Sequence, residues 1–109
     1  MSPLNITHRT TTTGPVLHVA GELDYAQATA LREHVERLVL GPGQNLVIDL
    51  SDLEFCDSTG ITALLAARQH AQAAGADAVL SAVPADTLRI LAIAGLDHVF
   101  TIRPSSDSM

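Results

Sequence analysis

Residues 55–60 read FCDSTG, which places an aspartate, two hydroxyls and a glycine between an apolar pair and a helical pattern. Asp57, Ser58 and Thr59 are each residue types that cap the N-terminus of a helix. A hydroxyl at this place can also accept a phosphate, because the free N–H groups and the macrodipole of a helix start favour anions. The residue types alone leave both roles open.

Other chemistry has less support in the sequence. A nucleophilic serine needs an adjacent base, but Ser58 lies outside any G-x-S-x-G elbow and no histidine is near it in sequence, so only a histidine brought in by the fold keeps this role open. The segment GPGQN at 41–45 lacks the Gly-Lys-Ser/Thr of a phosphate loop, and no G-x-G-x-x-G follows a strand. The five histidines lie singly, without the spacing of metal ligands.

Acidic residues are concentrated before and at this segment, with no basic residue among them: Asp49, Asp52, Glu54 and Asp57. Such a run is typical of a solvated loop. It can also form a docking edge for a basic partner. Glu22 and Asp24 join that edge if the two strand ends lie side by side.

The composition predicts a single domain with a full core. The chain has 109 residues, of which 47% are hydrophobic and only 3% aromatic. The net charge is −6 and all six basic residues are arginines without a cluster, which argues against binding to nucleic acid or to anionic membranes. Cys56 is the single cysteine, so no internal disulfide forms. No apolar run is long enough for a signal peptide or a membrane span, and we expect a cytoplasmic protein.

The hydrophobic pattern alternates strands with helices. It predicts five strands, at residues 4–8, 15–20, 46–50, 78–83 and 99–102. A Thr-rich loop at 10–13 interrupts the first strand, and Gly21 ends the second. The order β-β-α-β-α-β-α-β indicates an α/β fold with a mostly parallel sheet after an opening hairpin.

Three helices fill the segments between the later strands. The first is capped by Asp24, with Gln27 in capping-box position, and stops at the GPG of 41–43. The second runs from Ile61 to about residue 74. The third is opened by Pro84 and ends before Gly95.

Taken together, GELD at 21–24, VIDLS at 47–51 and FCDSTG at 55–60, with Gly75 and Gly95 at later helix ends, resemble the STAS domain. More specifically, the chain is similar to the bacterial anti-sigma factor antagonists. The resemblance implies one STAS domain over residues 1–103, with a mixed sheet of about five strands and helices packed against it. Residues 104–109 are expected to form a flexible tail.

The resemblance also implies a function. In this family the serine of the Asp-Ser-Ser/Thr-Gly motif, here Ser58, is phosphorylated by an anti-sigma factor that is a serine kinase of the histidine-kinase-like ATPase fold. The unmodified form binds that kinase and frees its sigma factor, and a PP2C-type phosphatase restores the unmodified form. The chain itself is then a regulatory binding protein and kinase substrate with no cofactor. The residues expected to contact the partner are Glu22, Asp24, Asp57, Thr59, Gly60 and Ile61.

Two departures from the family pattern bear on the site. Thr59 stands where many members have serine and is a second candidate acceptor, and Cys56 fills a position usually held by an aliphatic residue, where we expect buried packing. Two other functions stay open. In one, the chain is a STAS subunit docked permanently on a transporter ATPase or another partner, with Ser58 only a helix cap. In the other, it is an enzyme with Ser58 as nucleophile.

Overall fold

The computed structural model describes residues 3–104, which form one α/β domain. The strands are β1 (Asn5–Thr11), β2 (Gly14–Leu23), β3 (Asn45–Asp49), β4 (Leu53–Cys56), β5 (Asp77–Ser81) and β6 (Thr101–Arg103). The helices are α1 (Tyr25–Glu36), α2 (Ser58–Ala73) and α3 (Ala85–Ile93), with a 3₁₀ turn at Leu96–His98 before β6. Among these residues, no helix combines the length and the apolar character needed to span a bilayer.

The sheet is mixed, and its order is β1-β2-β3-β5-β6. β1 and β2 form the antiparallel hairpin, and all the other pairings are parallel. β4 lies outside this order and pairs with the end of β2, where β3 has already left it. The predicted α/β class with an opening hairpin is confirmed.

The core lies between the sheet and its helices. Leu17, Ile48 and Leu80 are paired neighbours on adjacent strands and are fully buried, as are Leu31 of α1 and Leu64 of α2. Val16, Val47 and Val79 form a separate buried cluster, and alternation along the strands places it on the opposite face of the sheet. Aliphatic side chains therefore form most of the core, in agreement with an aromatic content of only 3%.

The ends of several elements differ from the sequence prediction. β1 runs on through Thr11, because β-branched threonines suit a strand, and only residues 12–13 form the turn. α1 ends at Glu36, before the GPG of 41–43. β5 ends at Ser81, since Ala82 adopts a left-handed conformation with φ of 53°. The predicted tail, apart from Pro104, lies outside the described residues.

The largest difference is β4, which the sequence prediction missed. The second strand does not stop at Gly21. That glycine has φ of 95° and lies at a register shift inside β2. Beyond the shift, β2 continues to Leu23 and pairs with β4. This added strand delivers the chain to the start of α2.

Candidate functional site

Two helices begin side by side because two paired strands end together. Leu23, the last residue of β2, is in register with Cys56, the last residue of β4. The backbone N–H of Asp57 donates to the Leu23 carbonyl at 3.4 Å, which extends the pairing by one step. Asp24 and Asp57 are therefore neighbours, and α1 and α2, which start directly after them, pack against each other. The strand ends do lie side by side, as the acidic-edge hypothesis required.

The two helix starts repeat one capping arrangement. The Asp24 carboxylate accepts from the N–H of Gln27 at 3.1 Å, and the Asp57 carboxylate accepts from the N–H of Gly60 at 3.0 Å. Their backbone angles nearly coincide, with φ −113° and ψ −173° at Asp24, and φ −100° and ψ −173° at Asp57. The predicted cap at Asp24 is confirmed, and Asp57 is the cap among the three candidates for α2.

Ser58 is the first residue of α2 and is exposed to solvent. Its carbonyl accepts from the Thr62 hydroxyl at 3.0 Å, whereas its own hydroxyl makes no hydrogen bond within residues 3–104. The interpretation of Ser58 as a helix cap is therefore wrong, because Asp57 already holds that position. Ser58 is exposed, and its hydroxyl has no hydrogen-bond partner in the part of the chain that the structure describes.

The other predicted contact residues divide into a surface group and an interior group. Glu22 and Thr59 are partly exposed. Gly60 is buried, and a Cβ there would lie 2.5 Å from the Leu23 carbonyl oxygen and 2.7 Å from the Cys56 sulfur. Ile61 is 5% exposed and belongs to the core. Gly60 and the side chain of Ile61 are therefore buried within the domain.

The predicted acidic run is also divided by the fold. The Asp49 carboxylate accepts from the N–H of Ser51 at 2.9 Å, in the turn between β3 and β4. The Asp52 carboxylate lies 2.9 Å from His18 Nε2 on β2. These two carboxylates belong to the turn between β3 and β4. The acidic residues around Ser58 are therefore Asp24 and Asp57, and Glu22 and Glu54 lie on the strands that lead to them.

Cys56 closes the interior beneath the site. Burial first, and the neighbouring Asp57 carboxylate second, raise the pKa of its thiol to about 12. The side chain is 4% exposed and packs in the core, as predicted. A neutral, buried thiol is a poor nucleophile.

The described residues around Ser58 lack the groups that catalysis or metal binding would need. Within residues 3–104, no group of three or more His, Cys, Asp or Glu side chains is arranged to hold a metal ion. No described histidine is hydrogen-bonded to Ser58, and the histidine contacts lie elsewhere, as in the pair of His8 and His34 at 3.0 Å. The site offers a hydroxyl and carboxylates, without a base in contact with the hydroxyl.

Sequence reasoning missed one feature of the surface. Tyr25, the first residue of α1, lines a shallow groove between α1 and α2 together with Thr59 and Thr62. It is 80% exposed, which is unusual for one of only three aromatic residues. The sequence did contain a signal for this feature, because Tyr25 is one of few aromatic residues and directly follows the helix cap Asp24.

Comparison with protein families decides the assignment. The model of the STAS domain matches residues 5–109. The chain belongs to the STAS domain family. Among curated relatives of this STAS domain is Osmosensory protein A of Mycobacterium tuberculosis, 37% identical over 70 residues. That match covers 64% of this chain and 44% of the relative, so the chain spans less than half the relative's length.

Solved structures show the same architecture. An anti-sigma factor antagonist from Mycobacterium paratuberculosis is 29% identical, with a TM-score of 0.79, and the match covers 96% of this STAS domain and 89% of that chain. A sulfate transporter family protein from Wolinella succinogenes is 16% identical, with a TM-score of 0.72, and the match covers 84% and 77%. At that identity, the second likeness is one of fold alone.

Proposed function

We propose that this STAS domain is an anti-sigma factor antagonist controlled by phosphorylation of Ser58. The unmodified form binds an anti-sigma factor that is a serine kinase of the histidine-kinase-like ATPase fold, and thereby frees a sigma factor. Phosphorylation of Ser58 ends that binding, and a PP2C-type phosphatase restores it. The likeness to the mycobacterial anti-sigma factor antagonist supports this assignment.

The observation that carries the proposal is the free hydroxyl of Ser58. The neighbouring Asp57 already caps the helix by accepting from the Gly60 N–H, so the Ser58 hydroxyl is not needed as a cap. An exposed side chain at a helix tip is open to a kinase active site. Thr59, which is partly exposed, is the second candidate acceptor.

Electrostatics explains how a phosphate changes binding. A phosphoserine carries nearly two negative charges at neutral pH. Asp57 precedes it directly and Asp24 lies across the paired strand ends. For a phosphate and a carboxylate about 6 Å apart, at an effective dielectric constant near 20, each pair of unit charges repels by about 3 kcal/mol.

The free protein tolerates this charge because Ser58 faces water. Screening by solvent weakens the repulsion, and the N-terminus of α2 returns up to about 1 kcal/mol. Under a docked partner the same charges lose their water, and the phosphate occupies the contact itself. A net loss of about 3 to 4 kcal/mol reduces affinity by roughly a few hundred-fold.

The test is phosphorylation with purified components. The protein is incubated with candidate anti-sigma serine kinases and ATP, and mass spectrometry locates the phosphate. We expect it on Ser58 in the wild type and in Thr59→Val, and no phosphate at this motif in Ser58→Ala. A phosphate absent from Ser58 with every kinase that binds the protein would leave the static STAS subunit as the better account.

A further inference from the structure

Two of the three aromatic side chains are exposed, and both are close to Ser58. Tyr25 is 80% exposed and Phe55 is 50% exposed, whereas Phe100 is 5% exposed and belongs to the core. Aromatic rings carry large apolar surfaces, and leaving them in water forfeits the stabilisation that burial gives. Tyr and Phe are enriched where proteins bind one another.

The two rings stand on opposite sides of the paired caps. Tyr25 lines the groove between α1 and α2, on the helix side of the sheet. Phe55 is in register with Glu22, one step before the pair Leu23 and Cys56. Leu23 and Cys56 point into the core under the helices, whereas the pair before them, Glu22 and Phe55, lies outside the core, and Phe55 is 50% exposed.

One partner footprint can cover both rings. Tyr25 lies two residues after Leu23, Phe55 lies one residue before Cys56, and Leu23 and Cys56 are paired. With strands about 4.8 Å apart and about 3.8 Å between consecutive Cα atoms, the two Cα atoms are at most about 16 Å apart. A standard interface of about 800 Å² per partner spans that distance.

We propose that Tyr25 and Phe55 are the apolar anchors of the kinase-binding surface, a deepening that rests on the function proposed above. Each ring enters an apolar pocket on the kinase. Carboxylates lie between and beside the rings, at Glu22, Asp24 and Asp57, so the rim of those pockets is basic, formed by Arg or Lys. The phosphate on Ser58 arises directly after Asp57, within the same footprint, and holds both rings out of their pockets, which is why one group suffices to release the partner.

The test is a calorimetric titration with an anti-sigma serine kinase that has been shown to phosphorylate Ser58. We expect Tyr25→Ala and Phe55→Thr each to weaken binding by about tenfold or more, as interface anchors do. The matched controls are Ile93→Thr and Val39→Thr, which remove side chains that are 80% and 93% exposed elsewhere on the surface. These controls should bind within about twofold of the wild type, and each variant's melting temperature shows whether it is folded.

The outcomes separate the anchors from the switch. If Ser58→Asp loses binding while folded Tyr25→Ala and Phe55→Thr bind like the wild type, the anchors are refuted and the switch stands. If the aromatic variants lose binding and Ser58→Asp does not, the docking surface stands and phosphorylation control fails. Should Phe55→Thr unfold, Tyr25→Ala decides alone, because its ring lies at an exposed helix start outside the core.

Discussion

Replacing Gly60 with alanine puts a methyl group where the end of β2 passes over the first turn of α2. The added Cβ would lie 2.5 Å from the Leu23 carbonyl oxygen and 3.0 Å from Leu23 Cγ. An ordinary van der Waals contact begins at 3.4 Å, so one of the two backbones must move by about 0.9 Å. The carbonyl is held by the pairing of β2 with β4, and its 3.4 Å bond from the Asp57 N–H is weakened by any separation.

Overpacking of this kind costs about 2 to 3 kcal/mol, and the better helix propensity of alanine returns at most about 1 kcal/mol. We therefore expect Gly60→Ala to lower the free energy of unfolding by about 1 to 2 kcal/mol, or the melting temperature by about 4 to 8 °C. Calorimetry and urea unfolding measure both. Gly41→Ala is the control, since its Cβ meets only the Gln44 side chain at 3.6 Å. A Gly60→Ala variant as stable as Gly41→Ala would refute the close approach of β2 and α2.

Three further predictions address the caps, the buried thiol and a histidine. Asp24→Ala and Asp57→Ala should each lower the free energy of unfolding by about 1 kcal/mol in urea titrations, because each removes a helix cap. Ser58→Ala should change it by less than about 0.5 kcal/mol, because Ser58 is not a cap. Equal losses at all three positions would contradict the cap assignment. Burial raises the pKa of the Cys56 thiol to about 12, so the thiol should resist iodoacetamide at pH 7.5 in the native protein and react in urea. Mass spectrometry measures the alkylated fraction. Rapid alkylation of the native protein would show that the side chain is accessible. Partial burial, and then neighbouring charge, lowers the pKa of His34 below 6.5, so the unfolded chain takes up its proton first as the pH falls. Stability should therefore drop below about pH 6.5, and His34→Gln should reduce that drop in unfolding measured at pH 7.5 and 5.5; an unchanged pH dependence excludes His34 as its source.

Local signals were sufficient where a residue type has one dominant role. Asp24 followed by an apolar helical face predicted the start of α1, and the mostly apolar residues at 46–50 predicted a strand. The order of these elements then fixed a mostly parallel sheet. These inferences depend on periodicity within one element, which a single sequence shows directly.

β4 could not be predicted in the same way. Its four residues, LEFC, show no alternation of burial, since both end residues are buried and both middle residues are exposed. Its existence depends on a register shift in β2 at Gly21, which frees the end of β2 for a new neighbour. Such pairing is a long-range property, and the glycine that enables it reads locally as a strand end.

The site was predicted in its residues but only partly in its geometry. The sequence singled out Ser58 and its carboxylate neighbours, yet it could not tell which of Asp57, Ser58 and Thr59 caps α2, because all three suit that position. Gly60 is buried because the end of β2 lies close to the first turn of α2. This close approach depends on the pairing of β2 with β4, which the sequence prediction missed, so the burial of Gly60 could not be predicted either.

The most direct test compares two dissociation constants. The kinase that phosphorylates Ser58 is titrated with the unmodified protein and with the protein phosphorylated only at Ser58, both shown to be folded by calorimetry. The account predicts that the phosphorylated form binds roughly a few hundred-fold more weakly while its melting temperature changes by only a few degrees. Equal dissociation constants for the two folded forms would contradict it.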